Sequence, residues 1–167
     1  GGFVIGGRLL QGPNAIAGEW GNNPLPWPND DERPGPACYC GKHGCIETWL
    51  SGPGLARDFD PDSRTTPAEI VALAQRGDSA AQQCLRRYED RLTRALATVI
   101  NVLDPEVIVL GGGLSRIEHL YDVVTEQLPN YVFSDTVSTR LCAPMHGDSS
   151  GVRGAAWLWP IQALTAR

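Results

Sequence analysis

The stretch CYCGKHGCIE, residues 38–47, sets three cysteines within eight positions and a carboxylate two residues beyond the last of them. The gaps between the thiols are one and four residues, not the two that usually separate a redox pair. Gly41 and Gly44 let the backbone fold tightly enough for Cys38, Cys40 and Cys45 to converge on one ion. Thiolates are soft ligands, and in a reducing compartment such a set suits zinc. Redox chemistry and coincidence are the competing explanations, and three of the chain's five cysteines in one short glycine turn argue against the second. A structural zinc takes four ligands, and this cluster supplies three.

The surrounding chain has 167 residues, enough for one domain with a core of its own. A hydrophobic fraction of 42% and a charged fraction of 20% fit a soluble globular protein. The net charge of -5 and the scattered histidines leave no basic stripe for a phosphate backbone, which excludes nucleic acid as a partner through this chain. No apolar run approaches a bilayer span and no signal-peptide pattern is present, so a cytoplasmic location with reduced thiols is expected. The chain opens on Gly1-Gly2-Phe3, with no initiator Met, on what reads as a glycine turn entering a strand. That start predicts a piece of a longer protein.

Outward from the cysteines, FVIGGRLLQG (3–12) reads as a hairpin about Gly6-Gly7. Residues 12–36 are rich in Pro, Gly, Asn and Asp and read as loop. TPAEIVALAQRGD (66–78) carries helix grammar: Thr66 to cap, Pro67 in the first turn, Glu69 to complete a capping box and Gly77 to end it. Ala81, Leu85, Tyr88, Leu92, Ala95 and Val99 lie on one face of a helix from about Asp78 to Asn101. Arg86, Arg87, Glu89, Asp90 and Arg94 are predicted to face solvent. EVIVLGGGLS (106–115) gives a buried strand and a glycine turn, followed by a helix capped by Ser115 and Glu118 with Ile117, Leu120, Tyr121, Val124 and Leu128 inward. TVSTRLCAP (136–144) is a final strand, and GDSSGVRGAAWLWPIQAL (147–164) a turn into a last helix. A hairpin followed by alternating helices and strands makes an α/β layered domain.

Glu47, past the cysteines, and Glu19, in AGEWGNNPLP (17–26), are candidates to accept hydrogen bonds from sugar hydroxyls if the loop aims both into one cleft. The plainer alternative for Glu47 is an acidic residue in a helix first turn, favoured there by the dipole. Gly111, Gly112 and Gly113 follow a strand, where backbone approaches a nucleotide closely. The dinucleotide spacing and the P-loop lysine are both missing, and alone such a turn serves packing as often. Trp157 and Trp159 read as core or interface.

Together these segments resemble the ROK family (repressors, open reading frames and sugar kinases), and within it the bacterial fructokinase or mannofructokinase group. CYCGKHGCIE is similar to the family's C-x-C-G-x-x-G-C-x-E signature, and AGEWGNNPLPW to its E-x-G-H sugar motif followed by N-P-L-P. LDPEVIVLGGGLS resembles the adenosine motif, HGDSSGVRGAAWLWP the ending of these fructokinases, and Gly1-Gly2 the tail of the second phosphate motif.

The resemblance implies an actin/hexokinase-like (ribonuclease-H-like) C-terminal α/β domain with an inserted zinc-binding loop. The zinc/sugar loop would cover about 12–50, the adenosine-side part about 64–150 and the last helix about 150–165, with the N-terminal domain absent. It implies MgATP-dependent phosphorylation of a hexose, fructose foremost, with Glu19, Asn22 and Glu47 at the sugar. Gly1 and Gly2 would flank the phosphates, Gly111, Gly112 and Gly113 the adenosine, and Cys38, Cys40 and Cys45 would bind structural Zn2+. Asn22 stands where the family has its fourth zinc ligand, a histidine, so His43, Asn22 or water is left to complete the site. The catalytic base, an aspartate, would lie in the missing domain, so this chain alone is expected to be inactive. The alternative reading is the sugar-sensing core of a ROK transcriptional repressor. Trp157, Leu158, Trp159, Ile161 and Leu164 would offer an apolar face on the last helix, from which a homodimer is expected.

Overall fold

The computed structural model describes residues 1–62 and 64–157. The chain divides into two compact units, Gly1–Ala95 and Leu96 onward. The last-helix residues 158–167 and the side chain of Trp157, on which the dimer expectation rests, lie outside the described residues. No described helix is long and apolar enough to cross a membrane.

In the first unit, β1 (Val4–Ile5) and β2 (Arg8–Leu9) pair antiparallel, Val4 opposite Leu9 and Ile5 opposite Arg8. Gly6 and Gly7 between them both take positive φ, the backbone of a tight two-residue hairpin turn. The Pro-rich loop contains two single 3-10 turns, at Trp20–Asn22 and Asp30–Glu32. Behind the cysteines come α1 (Ile46–Leu50) and α2 (Gly52–Phe59), where Ser51 caps α2 by accepting from the Gly54 amide at 3.1 Å. α3 (Pro67–Gln75) starts on the expected capping box. Thr66 Oγ1 accepts from the Glu69 amide at 3.3 Å, and Glu69 accepts from the Thr66 amide at 2.7 Å.

The long helix α4 (Ser79–Leu103) opens on Asp78, whose carboxylate accepts from the Ala81 amide at 2.8 Å. Ala81, Leu85, Tyr88, Leu92 and Ala95 are buried, as their spacing predicts, whereas Val99 on the same face is half-buried. The expected polar face is not all polar surface. Arg86 is exposed and Arg87 and Asp90 are half-buried, but Glu89 and Arg94 are buried, as is Arg91 between them. The loop below explains the burial of the two arginines, since Glu32 is buried there as their counter-charge.

In the second unit β3 (Val107–Val109) pairs parallel with β4 (Arg140–Cys142), Ile108 opposite Leu141. β4 is shorter than the segment 136–144 suggested, and β3 is only half-buried, with Val109 58% exposed. A two-stranded sheet cannot enclose its own middle strand, because it has none. α5 (His119–Gln127) buries Leu120 and Val124. Ile117 and Leu128, either side of it, are buried too, whereas Tyr121 is only partly covered. The Ser115–Glu118 box does not form: α5 begins at His119 without a side-chain cap, and Ser115 Oγ donates to the Gly112 carbonyl at 2.7 Å. α6 (Ser150–Trp157) follows a 3-10 turn at Gly147–Ser149.

Candidate functional site

The cysteine loop is a tight reversal laced by backbone hydrogen bonds. The Cys38 amide donates to the Lys42 carbonyl at 2.8 Å and the Gly41 amide to the Cys38 carbonyl at 3.0 Å. The segment 22–25 zips against its far side, with Leu25 N–H to the Gly44 carbonyl and Ile46 N–H to the Asn23 carbonyl, both at 2.9 Å. Glycine is required at position 44. Its φ is +68°, and a Cβ there would stand 2.9 Å from the Pro34 carbonyl oxygen.

This packing brings the thiols of Cys38, Cys40 and Cys45 together, their sulfurs all within 4.8 Å of one another and Cys40 Sγ 3.6 Å from Cys45 Sγ. Zinc–sulfur bonds of ~2.3 Å in a tetrahedron place sulfurs about 3.8 Å apart, so the trio fits that ion with little adjustment. His43, the suggested substitute ligand, is exposed and is not part of the group. Its backbone pairs with Ala37 at the loop's edge, so the tight reversal that gathers the sulfurs leaves its ring outside.

Asn22 occupies the centre. Its Nδ2 donates to Glu47 Oε1 at 3.0 Å and to Cys38 Sγ at 3.7 Å, and its Oδ1 accepts from Tyr39 Oη at 3.3 Å. The Cys38 thiol also donates to Glu47 Oε1 at 3.1 Å, and Cys45 Sγ to the Asn22 carbonyl at 3.6 Å. A backbone hydrogen bond from Cys40 favours the Cys38 thiolate. Burial and the hydrogen bonds with Glu47 and its neighbouring thiols outweigh that and push the thiol up to about 12. Burial raises Cys45, whereas a backbone hydrogen bond from Lys42 and a side-chain hydrogen bond from Cys38 hold Cys40 below its ordinary value. A divalent cation would change that balance by stabilising all three as thiolates.

Of the carboxylates picked out in the sequence, Glu47 sits in the first turn of α1, so the dipole argument holds alongside its contacts with Asn22 and Cys38. Glu19 starts the Trp20–Asn22 turn with an exposed side chain that makes no cap. That turn packs on α1, Gly21 lying close enough that a Cβ would meet Glu47 Cβ at 3.4 Å. Gly1 lies against the same turn: a Cβ on it would stand 2.9 Å from the Gly18 carbonyl oxygen and 3.1 Å from the Trp20 ring. Gly2 is one residue further along the same strand of chain.

In the second unit, Gly111–Gly113 follow β3 after Leu110, with Gly112 at φ +77°. The turn is shaped from beneath by Ser115, whose own carbonyl accepts from Tyr121 Oη at 2.7 Å. Among the described residues no heavy atom comes within 4 Å of a Cβ built on any of the three glycines. Gly6, Gly7 and Gly77 share that openness, so it marks an uncrowded turn among the described residues.

The family profile of ROK matches residues 1–162. The chain belongs to the ROK family. It is 36% identical over 164 residues to the N-acetyl-D-glucosamine kinase of Vibrio atlanticus (strain LGP32), covering 95% of this chain and 54% of that protein. The crystal structure of a ROK hexokinase from Thermus thermophilus superposes with a TM-score of 0.77 at 31% identity, over 93% of this chain and 51% of the other. A ROK family glucokinase from Streptomyces griseus, in complex with glucose and AMPPNP, gives 0.78 at 25% identity, over 94% and 55%. The actin/hexokinase-like ROK fold is thereby shown, and the ROK chain spans about half the length of the curated relatives it matches.

One group of residues supporting the Pro-rich loop escaped the sequence reading. Arg94 Nη1 donates to the carbonyls of Pro26 and Trp27, both at 2.9 Å, and its Nη2 to Glu32 at 2.8 Å. Arg91 Nε meets Glu32 at 2.7 Å, its Nη1 meets Asp58 at 3.1 Å, and its guanidinium stacks 4.2 Å from the Trp49 ring centre. Helical arithmetic held the signal. Arg91 is three residues after Tyr88 and four before Ala95, on the face those residues bury.

Proposed function

We propose that this chain is the sugar- and adenosine-binding half of an ATP-dependent hexose kinase, transferring the γ-phosphoryl group of MgATP to a sugar hydroxyl. The observation that carries the reading is a fixed carboxylate. Glu47 Oε1 is held by the Asn22 amide in the first turn of α1, joined in the metal-free protein by the Cys38 thiol, and no hydrogen bond among the described residues engages Oε2. An ionised carboxylate held on one oxygen presents the other to a hydroxyl at little entropic cost.

In this reading Glu47, Glu19 and Asn22 orient the hexose, Gly1 and Gly2 lie beside the phosphates, and Gly111–Gly113 admit the adenosine. The sugar oxygen attacks the γ-phosphorus, its bond to the ADP oxygen breaks, and the hydroxyl proton passes to a general base. No residue of this chain is assigned as that base. Cys38, Cys40 and Cys45 would hold a structural zinc, which supplies rigidity to the loop that carries Asn22 and Glu47. The likeness to an N-acetyl-D-glucosamine kinase supports an N-acetylhexosamine as substrate ahead of fructose. The NPLPW segment is what supports the ketose.

The test is ATP consumption by the full-length parent against a panel of N-acetyl-D-glucosamine, glucose, mannose and fructose. One sugar should lead the panel, and Glu47→Ala should lower its kcat/KM by about 10- to 100-fold, the loss of a charge-assisted hydrogen bond of ~1.5–3 kcal/mol. No phosphoryl transfer to any hexose, or an unaltered kcat/KM in the variant, overturns the reading. Phosphorylation by the 167-residue chain alone would show that the base had been wrongly left out of it.

A further inference from the structure

Asn22 is a neutral amide set between a thiol and a carboxylate, and each of its side-chain polar atoms has a partner. One Nδ2 hydrogen goes to Glu47 Oε1 at 3.0 Å and the other toward Cys38 Sγ at 3.7 Å. Oδ1, the one side-chain atom able to bind a cation, accepts the Tyr39 hydroxyl at 3.3 Å. An amide oxygen is also a hard ligand, poorly matched to a soft thiolate set. Donating N–H groups to a metal-bound thiolate and to a carboxylate is what supporting residues do around a metal, not what ligands do. The group of potential ligands among the described residues stops at three cysteines, and Cys40 is exposed.

We propose that Asn22 is a positioning residue that bridges Cys38 and Glu47, and that the three-cysteine zinc site therefore keeps its fourth coordination position for a small exchangeable ligand. The proposal rests on the zinc reading above. It gives the loop a property that a four-ligand structural site lacks, because a neutral nitrogen donor or thiol from solution can enter the coordination sphere. It also ties the sugar carboxylate to the cysteine cluster through one side chain, so that Glu47 and Cys38 are oriented together.

Cobalt(II) in place of zinc tests this without reference to activity, with imidazole as the probe. The wild-type protein should show thiolate-to-cobalt charge transfer and a visible d–d spectrum that shifts on adding imidazole. Asn22→Ala should keep the same starting spectrum and the same imidazole response, with cobalt affinity about tenfold weaker, as for loss of a supporting hydrogen bond. Asn22→His should change the starting spectrum, abolish the imidazole response and slow zinc loss to a chelator. A cobalt spectrum altered by Asn22→Ala would make Asn22 a ligand and overturn the proposal, as would bound cobalt indifferent to imidazole. If wild type shows no thiolate band and Cys40→Ser behaves identically, the zinc reading itself falls, and the bridge with it.

Discussion

Around Arg94, three guanidinium groups (Arg87, Arg91, Arg94) meet three carboxylates (Glu32, Asp58, Asp90), whereas around Cys38 three thiols and a carboxylate crowd together with one amide between them. Both groups lie in the first unit, and both draw on the same Pro-rich loop. The first cluster is electrically closed, each charge facing an opposite one. The second is open, holding no cationic side chain: Glu47 is met by the Cys38 thiol and the Asn22 amide, and three sulfurs stand close enough together to share an ion. A self-paired cluster has no use for a ligand, which is why the arginines read as scaffold and the cysteines as site.

Breaking the closed cluster should produce the largest effect. Arg94→Ala would strand Glu32 in part and leave the Pro26 and Trp27 carbonyls without their donor. Removing one partner of a buried pair costs about 3–5 kcal/mol, read as a fall in the denaturation midpoint. Replacing both partners, as Glu32→Leu with Arg94→Met, should cost less than Arg94→Ala alone, since no bare charge remains. If the double variant is the less stable, pairing is not what the cluster does. Acid gives a second handle. Burial alone would raise the Glu32 carboxyl, but hydrogen bonds from Arg94, Arg91 and the Asn29 amide outweigh it and hold the group below its ordinary value of 4.5. A lowered folded-state pKa means that stability is full above 4.5 and is lost as pH falls below it. The double variant should accordingly unfold with a shallower pH dependence in that window than wild type.

The open cluster should fail differently. Cys40 is exposed, so Cys40→Ser should leave the metal-free protein within ~0.5 kcal/mol of wild type. With free zinc at a hundredfold its dissociation constant, wild type should gain about 2.7 kcal/mol and the variant should not. Thermal melts with and without chelator distinguish the two. Equal zinc-induced shifts would move the metal away from this trio.

Much of the contrast was legible in the residues. The cysteine spacing with Gly41 and Gly44 announced converging thiols, because local backbone freedom and ligand type are both local properties. The hairpin at Gly6-Gly7 and the box at Thr66–Glu69 were legible for the same reason. The burial of Arg94 was not, since its partner Glu32 lies 62 residues away and charge in a sequence reads as surface until a counter-charge is placed beside it. Asn22 was legible only as a departure from a pattern. Its use as a donor to Glu47 and Cys38 depends on a turn and a helix meeting across 16 and 25 residues of chain.

The smallest effects separate two stretches with the same capping signature. Thr66-Pro-Ala-Glu69 and Ser115-Arg-Ile-Glu118 both fit the capping-box spacing, yet only the first forms it. The difference lies upstream. Ser115 belongs to the 3-10 turn Gly113–Arg116 that closes the glycine turn, and its hydroxyl is committed to the Gly112 carbonyl at 2.7 Å. Ser115 therefore lies inside that turn, three residues before Glu118, which itself opens α5, so its hydroxyl is not at the cap position. Thr66 has no such turn to close, and its Oγ1 exchanges hydrogen bonds with Glu69 alone among the described residues. Thr66→Ala should therefore cost about 1 kcal/mol, a typical cap loss, whereas Glu118→Ala should change stability by less than ~0.5 kcal/mol. Equilibrium unfolding in urea resolves the two. A cost at Glu118 equal to that at Thr66 would mean that the second box forms in solution, and Ser115 would then be released from the turn that lays open Gly111–Gly113.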